Sequence, residues 1–383
     1  MRKLLLIIFI ITIFPCVVAP ATERAYAKTL SETIDEQLEH IDLNELESHL
    51  NNLDNDNNSF VDIIKKLLTG KIDFDLGTFS EYIKNNVISN FNSLLPSMFT
   101  VIAISLFCSI VQSSKSIFAS EGISQLIFFV CFSSAVLVLF GEITNIIINS
   151  KKIIENIAKT SEIMSPIITT LLIASGGNST ASLYKPGVAL FSNIVINVML
   201  SIVFPLISLI LIFGIISHFN KGVKLGKFVD LFNSVIKWII GLSVTIFTIF
   251  ISFQGIACSL YDGISVKAMK YAITNSIPLV GGLLKDGFDM VVAGSIILKN
   301  TIGVGCLIVL FFYVLTPVIK TAVFSVLLKM TAGVTDLISD SNISDFCVFT
   351  SKTLSLINAV VLLVAFMLFV SVFIMLISAN AFV

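Results

Sequence analysis

Six long apolar runs stand out along the chain, separated by shorter stretches in which polar and apolar residues mix. A helix of about 20 apolar residues crosses the hydrocarbon core of a bilayer, and each run approaches or exceeds that length. The runs occupy residues 94–111, 123–148, 187–217, 235–258, 302–328 and 354–378. Because a spanning segment must satisfy its own backbone hydrogen bonds, the pattern predicts an all-α, polytopic helical membrane protein.

Two further segments, residues 151–177 and 272–300, are only half hydrophobic and are broken by proline and glycine. The second is the more unusual, because Lys285, Asp286 and Asp289 lie in its middle. Charged side chains at membrane depth are tolerated where protein or a water-filled cavity covers them. We therefore predict that this segment lies inside the assembly or re-enters the membrane, which gives about six to eight membrane segments in total.

Residues in and beside these two segments are the candidates for helix packing or for a substrate path. They are Gly176, Gly177, Pro186, Pro278, Gly281, Gly282, Lys285, Asp286, Asp289, Gly294, Lys299, Asn300 and Gly303. Lys285 and Asp289 share a helix face, so that they either neutralise each other or present an acid to an ion. Close helix contact at the glycines is the common structural alternative to a gate or an ion site.

The order of the segments occurs twice, since a span, a broken segment and a span are followed by the same three elements again. In each broken segment a proline, Pro166 or Pro278, precedes a pair of glycines. Corresponding breaks in two halves of a chain are typical of transporters with internal repeats. The alternative is the chance alternation that long membrane proteins often show.

Residues 1–27 have the features of a signal peptide, because Arg2 and Lys3 precede a short apolar run and the last three residues fit the cleavage rule. An uncleaved anchor is the alternative. Residues 28–93 form a small acidic ectodomain of amphipathic helices, with thirteen acidic residues against five lysines, and residues 94–383 form the transmembrane domain. So small a core predicts that the ectodomain docks on a partner or on the membrane surface.

Composition and motifs exclude several classes of protein. A net charge of −1 gives no support for nucleic-acid binding, and the six cysteines and three histidines are scattered without the spacing of a metal site. No HExxH, GxSxG or P-loop motif occurs. Asp54, Asp56 and Asn58 resemble the start of a calcium loop, but Lys65 stands where the bidentate glutamate is needed, which favours a solvated linker. We predict no enzyme activity, no metal and no cofactor.

Two stretches of the chain carry a resemblance to a known family. They run from Leu171 through Ser175-Gly176-Gly177 to Pro186, and from Ile277-Pro278 through Gly281-Gly282 to Lys299-Asn300-Thr301-Ile302-Gly303. Together with the signal peptide, the acidic ectodomain and the polytopic body, they make nearly the whole chain resemble the stage III sporulation protein AE family of endospore-forming bacteria.

The resemblance implies a non-enzymatic membrane component of the channel or secretion-like complex between mother cell and forespore, which supports late forespore gene expression and forespore integrity. It implies a multi-pass protein of the mother-cell-derived membrane around the forespore, with its ectodomain outside the cytoplasm. The implied partners are the lipid bilayer and other membrane proteins of the same complex, without nucleic acid, and a homo-oligomer stays open.

Two mechanisms remain open within this family. In one, the protein is a permease whose path the broken segments line, and in the other it is a scaffold that anchors its partners. The alternative from a different class is a secondary transporter or permease unrelated to sporulation.

Overall fold

The computed structural model describes residues 43–53, 64, 67–68, 76–113, 121–175, 181–182, 193–219, 225–276, 281–338 and 341–378. The backbone is described over residues 253–276 and 281–288, but the side chains of these residues are outside the description. The predicted signal peptide, about half of the predicted ectodomain, and the candidates Gly176, Gly177, Pro186 and Pro278 lie outside the described residues. Every regular element in the described part is a helix, which confirms the predicted fold class.

The described part of the chain contains seven helices of eight or more residues. They are α1 (Asn44–Asn51), α2 (Leu76–Ser113), α3 (Glu121–Ala174), α4 (Asn193–Phe219), α5 (Gly226–Ser276), α6 (Gly281–Ile338) and α7 (Ser341–Ser378). The six helices from α2 to α7 are each long and apolar enough to cross a membrane. The structure therefore confirms the six spans that the apolar runs predict.

Helix α4 contains a wider turn where the sequence places a proline. Residues Met199–Val203 form a π-helical turn, and the α-helix Phe204–Phe219 follows at once. Pro205 has no backbone N–H, so the carbonyl one turn before it loses its usual donor. A local widening of the helix is a common way to absorb such a break.

The helices α6 and α7 form the centre of the bundle and make its most extensive contact. They are antiparallel, because Ser344 Oγ donates to the Ala332 carbonyl near the joining turn while Lys299 reaches the far end of α7 at Leu376. Helix α2 runs parallel to α6, since Tyr82 contacts Thr316 and Ser109 contacts Ile338.

The helices α3, α4 and α5 complete the bundle. Helix α3 runs antiparallel to α4, because Lys151 lies over the Phe204 ring while Phe129 packs against Phe219. Helix α5 turns back beside α4, where Phe213 contacts both Phe228 and Phe232. The core is a single large cluster of apolar side chains contributed by all of these helices and by α1.

The two half-hydrophobic segments do not form separate membrane elements in the described part of the chain. Residues 151–174 continue α3, which is 54 residues long, and residues 281–300 open α6, which is 58 residues long. Pro166 and Pro317 lie inside these helices. A helix of this length measures about 80 Å, far more than the hydrocarbon core of about 30 Å. Part of α3 and part of α6 must therefore project beyond the bilayer.

The exposed surface of α3 shows where this projection begins. Its first half exposes large apolar side chains, including Leu126, Leu137 and Ile148. Its second half instead exposes charged side chains: Lys152, Glu155, Lys159 and Glu162. Lipid favours the first kind of surface and water the second. The change near residue 150 thus marks one boundary of the membrane layer along α3.

Helix α1 docks on the projecting half of α3. Leu46 and Leu50 are fully buried in the common core, and His49 Nε2 lies 3.0 Å from Thr160 Oγ1. The Thr160 hydroxyl itself donates to the Asn156 carbonyl, so the imidazole N–H is the donor to Thr160. This contact places α1 on the same side of the bundle as residues 151–174.

The docked position of His49 makes this contact sensitive to pH. Burial lowers the pKa of His49 below its ordinary value, and the nearby Lys159 charge lowers it further, while a hydrogen bond to the Asn156 backbone and the Glu45 charge oppose the shift. The released helix therefore binds a proton more readily than the docked helix. Docking keeps its full strength above about pH 6.5 and weakens as the pH falls below that value.

We expect the protection factors of residues 44–51, in which the intrinsic exchange rate at each pH is divided out, to be lower at about pH 5.5 than at about pH 7.5. His49→Gln keeps an N–H donor for Thr160 but cannot titrate, so its protection should be independent of pH over this range. Equal pH dependence in the wild type and in His49→Gln would contradict the assignment.

Candidate functional site

The structure brings together two of the predicted site residues, Lys299 and Gly303, at the end of α7. Of the others, Gly281 begins α6, Gly282 follows it, and Lys285 and Asp286 lie in the same helix with side chains outside the description. Gly294 is buried, and Asp289 and Asn300 are half-buried. The candidates from residue 281 onward therefore share one helix, and Lys299 and Gly303 contact the same residue of α7.

Lys299 is a fully buried lysine whose ammonium group lies against the last turn of α7. Its Nζ donates to the Leu376 carbonyl at 2.9 Å and to the Met375 carbonyl at 3.4 Å. The last four carbonyl groups of a helix have no donor within that helix, and the helix dipole places partial negative charge there. Lys299 therefore caps the carboxyl end of α7 from a neighbouring helix.

Gly303 lies one helical turn beyond Lys299 and contacts the same residue of α7. A Cβ atom at Gly303 would lie 2.5 Å from Leu376 Cδ2, which is closer than side chains pack. The glycine thus lets the Leu376 side chain approach α6 while Lys299 binds the Leu376 carbonyl. Both residues fix the end of α7, and the packing interpretation of these two candidates fits their geometry.

The acidic candidate Asp289 does not serve as the counter-ion of Lys299. Ten residues separate them on a continuous helix, which is about 15 Å along its axis. Between them, Ser295 is fully buried and its Oγ has no hydrogen-bond partner among the described residues. Within the described part of the chain, Lys299 is therefore held by helix carbonyls and not by a carboxylate.

A second polar set surrounds Pro317 in the middle of α6, and we call it the Pro317 belt. It contains Tyr82, Thr316, Asn156, Tyr313, Glu142, Lys320, Asn358 and Val318. Tyr82 Oη lies 2.7 Å from Thr316 Oγ1, and Asn156 Nδ2 donates to Tyr313 Oη at 2.5 Å.

The remaining contacts of the Pro317 belt join α6 to α3 and α7. Lys320 Nζ lies 4.0 Å from Glu142 Oε2, and Asn358 Nδ2 donates to the Val318 carbonyl at 3.2 Å. About two turns of α6 therefore contact α2, α3 and α7 through polar groups. Pro317 removes one backbone hydrogen bond here and so leaves the Tyr313 carbonyl without its usual donor.

The residues of the Pro317 belt can be seen in the sequence, but nothing in the sequence indicates which of them contact each other. Pro317, Lys320 and Glu142 are recognisable as polar or helix-breaking residues near the ends of apolar runs. Tyr82 and Thr316, in contrast, are 234 residues apart in sequence. No local pattern relates residues at that separation, so only the packed structure identifies the set.

A third polar contact joins α6 and α7 closer to their connecting turn. Ser325 Oγ donates to the Ser351 carbonyl at 3.2 Å, and Ser351 Oγ donates to the Ser325 carbonyl at 3.0 Å. The two hydroxyl groups are themselves 2.8 Å apart. Small hydroxyl side chains that pair in this way let two membrane helices approach closely.

The polar groups of these three sets bind one helix of the bundle to another. In the described ranges, no group of three or more histidine, cysteine, aspartate or glutamate residues is placed to hold a metal ion. The polar atoms instead meet polar atoms of neighbouring helices, which stabilises a membrane bundle by about 1 kcal/mol for each contact.

Comparison with known families gives this bundle its context. The family described as stage III sporulation protein AE matches residues 58–379, which include the helices from α2 to α7 and all three polar sets. The chain belongs to the stage III sporulation protein AE family. The resemblance predicted from the sequence is thereby confirmed, and the family match begins after α1.

One curated member of the stage III sporulation protein AE family shows how far the sequences have diverged. The stage III sporulation protein AE of Bacillus subtilis (strain 168) is 25% identical over 281 residues, which is 73% of this chain and 70% of that protein. No solved structure matches the chain. Membership of this family supports a role in sporulation for a protein whose described part contains six helices long and apolar enough to cross a membrane.

Proposed function

We propose that this protein is a non-enzymatic membrane component of the channel or secretion-like complex between mother cell and forespore. It lies in the mother-cell-derived membrane around the forespore with its N-terminal region outside the cytoplasm, and other membrane proteins of the complex are its partners. The match of residues 58–379 to the stage III sporulation protein AE family carries this proposal. In that position the protein supports late forespore gene expression and forespore integrity.

The geometry favours a scaffold over a permease. A permease needs polar groups that face a path and become available to a substrate. In α6, Lys299 instead caps α7, and Tyr313, Thr316 and Lys320 contact α2 and α3. Because these groups bind neighbouring helices, they fix the position of α6, and the other helices pack around it.

A fluorescent fusion of the full chain, expressed from its own promoter, tests the proposed place of action. We expect the fusion to appear only after sporulation begins and to surround the engulfed forespore. A transporter unrelated to sporulation would instead be present in growing cells and throughout their cell membrane, and that distribution would overturn the proposal.

Asp289→Asn distinguishes the scaffold from the permease. The amide has almost the same shape as the carboxylate but cannot carry a charge or bind a cation strongly, so a scaffold should tolerate it with spore yield within about two-fold of the wild type. Gly294→Leu is the packing variant, and at a buried glycine it should reduce both protein level and spore yield at least ten-fold. Loss of sporulation in Asp289→Asn at normal protein level would support the permease.

A further inference from the structure

Asn156 of α3 lies between α1 and α6, and its backbone and side chain contact different neighbours. On one side, its carbonyl accepts a hydrogen bond from the Thr160 hydroxyl at 2.8 Å, and His49 of α1 contacts that hydroxyl at 3.0 Å. On the other side, its Nδ2 donates to Tyr313 Oη of α6. A continuous row of polar contacts therefore connects α1 to α6 through one turn of α3.

Helix α1 is a small unit that can dock on the bundle and be released from it. It has eight residues, and its most extensive contact with another helix is with α3. An isolated helix of this length is not stable in water, so the burial of Leu46 and Leu50 against the bundle keeps it helical. Such an element opens at a lower free energy than the core helices do, which gives α1 a docked and a released state in one folded protein.

The row of contacts reaches α6 at a turn whose backbone lacks one hydrogen bond. Pro317 has no N–H, so the Tyr313 carbonyl is without its usual helical donor. Long helices bend most readily at such a proline. Tyr313 is half-buried, and its hydroxyl connects this turn of α6 to α3. The position of the turn therefore depends on side-chain contacts with neighbouring helices, and the contact with Asn156 is one of them.

The docking of α1 and the Asn156–Tyr313 contact use the same turn of α3. Docked α1 restricts that turn through His49 and Thr160, and a restricted turn holds the Asn156 side chain toward Tyr313. Because the entropy of ordering the turn is lost only once, each contact strengthens the other. Groups in one hydrogen-bonded network accordingly show interaction energies instead of additive effects, and the coupling is reciprocal.

We propose that α1 is a strap whose docking on α3 stabilises α6 at the Pro317 belt through Asn156. The strap precedes residues 58–379, which match the family, whereas Asn156 and Tyr313 lie within them. A molecule that released α1 would thus act from outside the matched part of the chain and loosen α6 at its proline. This coupling is a property of the folded chain and does not depend on the proposed function.

Hydrogen exchange of the purified full chain in one detergent at about pH 7.5 tests the coupling from the side of α6. Tyr313→Phe removes only the hydroxyl to which Asn156 donates, and we expect the protection factors of residues 44–51 to fall at least about three-fold. Tyr82→Phe is the matched control, because it removes a hydroxyl that contacts Thr316 in the same belt but joins α6 to α2. It should change the protection of α1 by less than about 1.5-fold.

The same measurement tests the coupling from the side of α1. Leu50→Ala removes a fully buried side chain from α1 and should lower the protection factors of residues 310–320 at least about three-fold, as reciprocity requires. Ser48→Ala, at an exposed position of α1, is the control and should leave them unchanged. Unchanged protection of residues 360–370 in α7 separates this local effect from a general loss of stability.

Asn156→Ala tests whether Asn156 is the link. Alone it should lower the protection of α1 as much as Tyr313→Phe does, and adding Tyr313→Phe should then change it by less than about 1.5-fold, because the link is already missing. Three results would each overturn the proposal: unchanged protection of α1 in Tyr313→Phe, an equal fall in Tyr82→Phe, or an additive fall in the double variant. In each case α1 would only cover the apolar side of α3, without an effect on α6.

Discussion

Lys299→Glu is expected to cause the largest loss of stability of any single change in the described part of α6. The substitution removes a charged donor from two carbonyl groups and places a carboxylate against the negative end of a helix dipole. Breaking a buried charged interaction costs about 3–5 kcal/mol, and the fully buried position leaves the new charge without water. We expect little or no folded protein in the membrane.

The measurement is the amount of full-length protein in the membrane fraction, followed by its thermal unfolding in detergent. Lys329→Glu is the matched control, because Lys329 is an exposed lysine on the same helix. The control should accumulate and unfold like the wild type. If the two charge reversals have equal effects, Lys299 does not hold the end of α7.

Gly214→Val is expected to have the second largest effect. A Cβ atom at Gly214 would overlap the Cε1 and Cζ atoms of Phe349, so the phenyl ring must move. That ring also packs against His218, with ring centroids 5.4 Å apart, which restricts where it can go. Overpacking of this kind costs about 1–3 kcal/mol of stability. Because valine is branched at Cβ, we expect a cost near the upper end of that range.

Thermal unfolding of the purified protein in one detergent is the measurement for Gly214→Val. Gly141→Val is the control, since a Cβ atom at Gly141 in α3 would meet no atom within 4 Å. The unfolding midpoint of Gly214→Val should fall by several degrees while that of Gly141→Val stays near the wild-type value. Equal midpoints for the two variants would show that α4 does not approach α7 at this position.

The spans could be predicted because each one contains many apolar residues over a length that the thickness of the bilayer determines. The segments beyond the spans were harder to predict, because proline suggests a break wherever it occurs. Pro166 nevertheless lies inside a helix that continues on both sides. Packing along the whole helix outweighs the loss of one backbone hydrogen bond, and the sequence around a proline contains no measure of that packing.

The types of residue in the candidate site could be predicted from the sequence, but the residues that they contact could not. Lys299 and Gly303 stood out as a charge and a glycine near an apolar run, yet their shared partner is the end of a helix more than seventy residues away.

Deletion of the gene in its host, with a fluorescent reporter of late forespore transcription followed through engulfment, tests the central claim most directly. The proposed function predicts that engulfment completes, that the reporter stays dark and that forespores shrink, and that the wild-type gene restores all three features. Normal reporter fluorescence and mature spores in the deletion strain would contradict a role for this protein in the complex between mother cell and forespore.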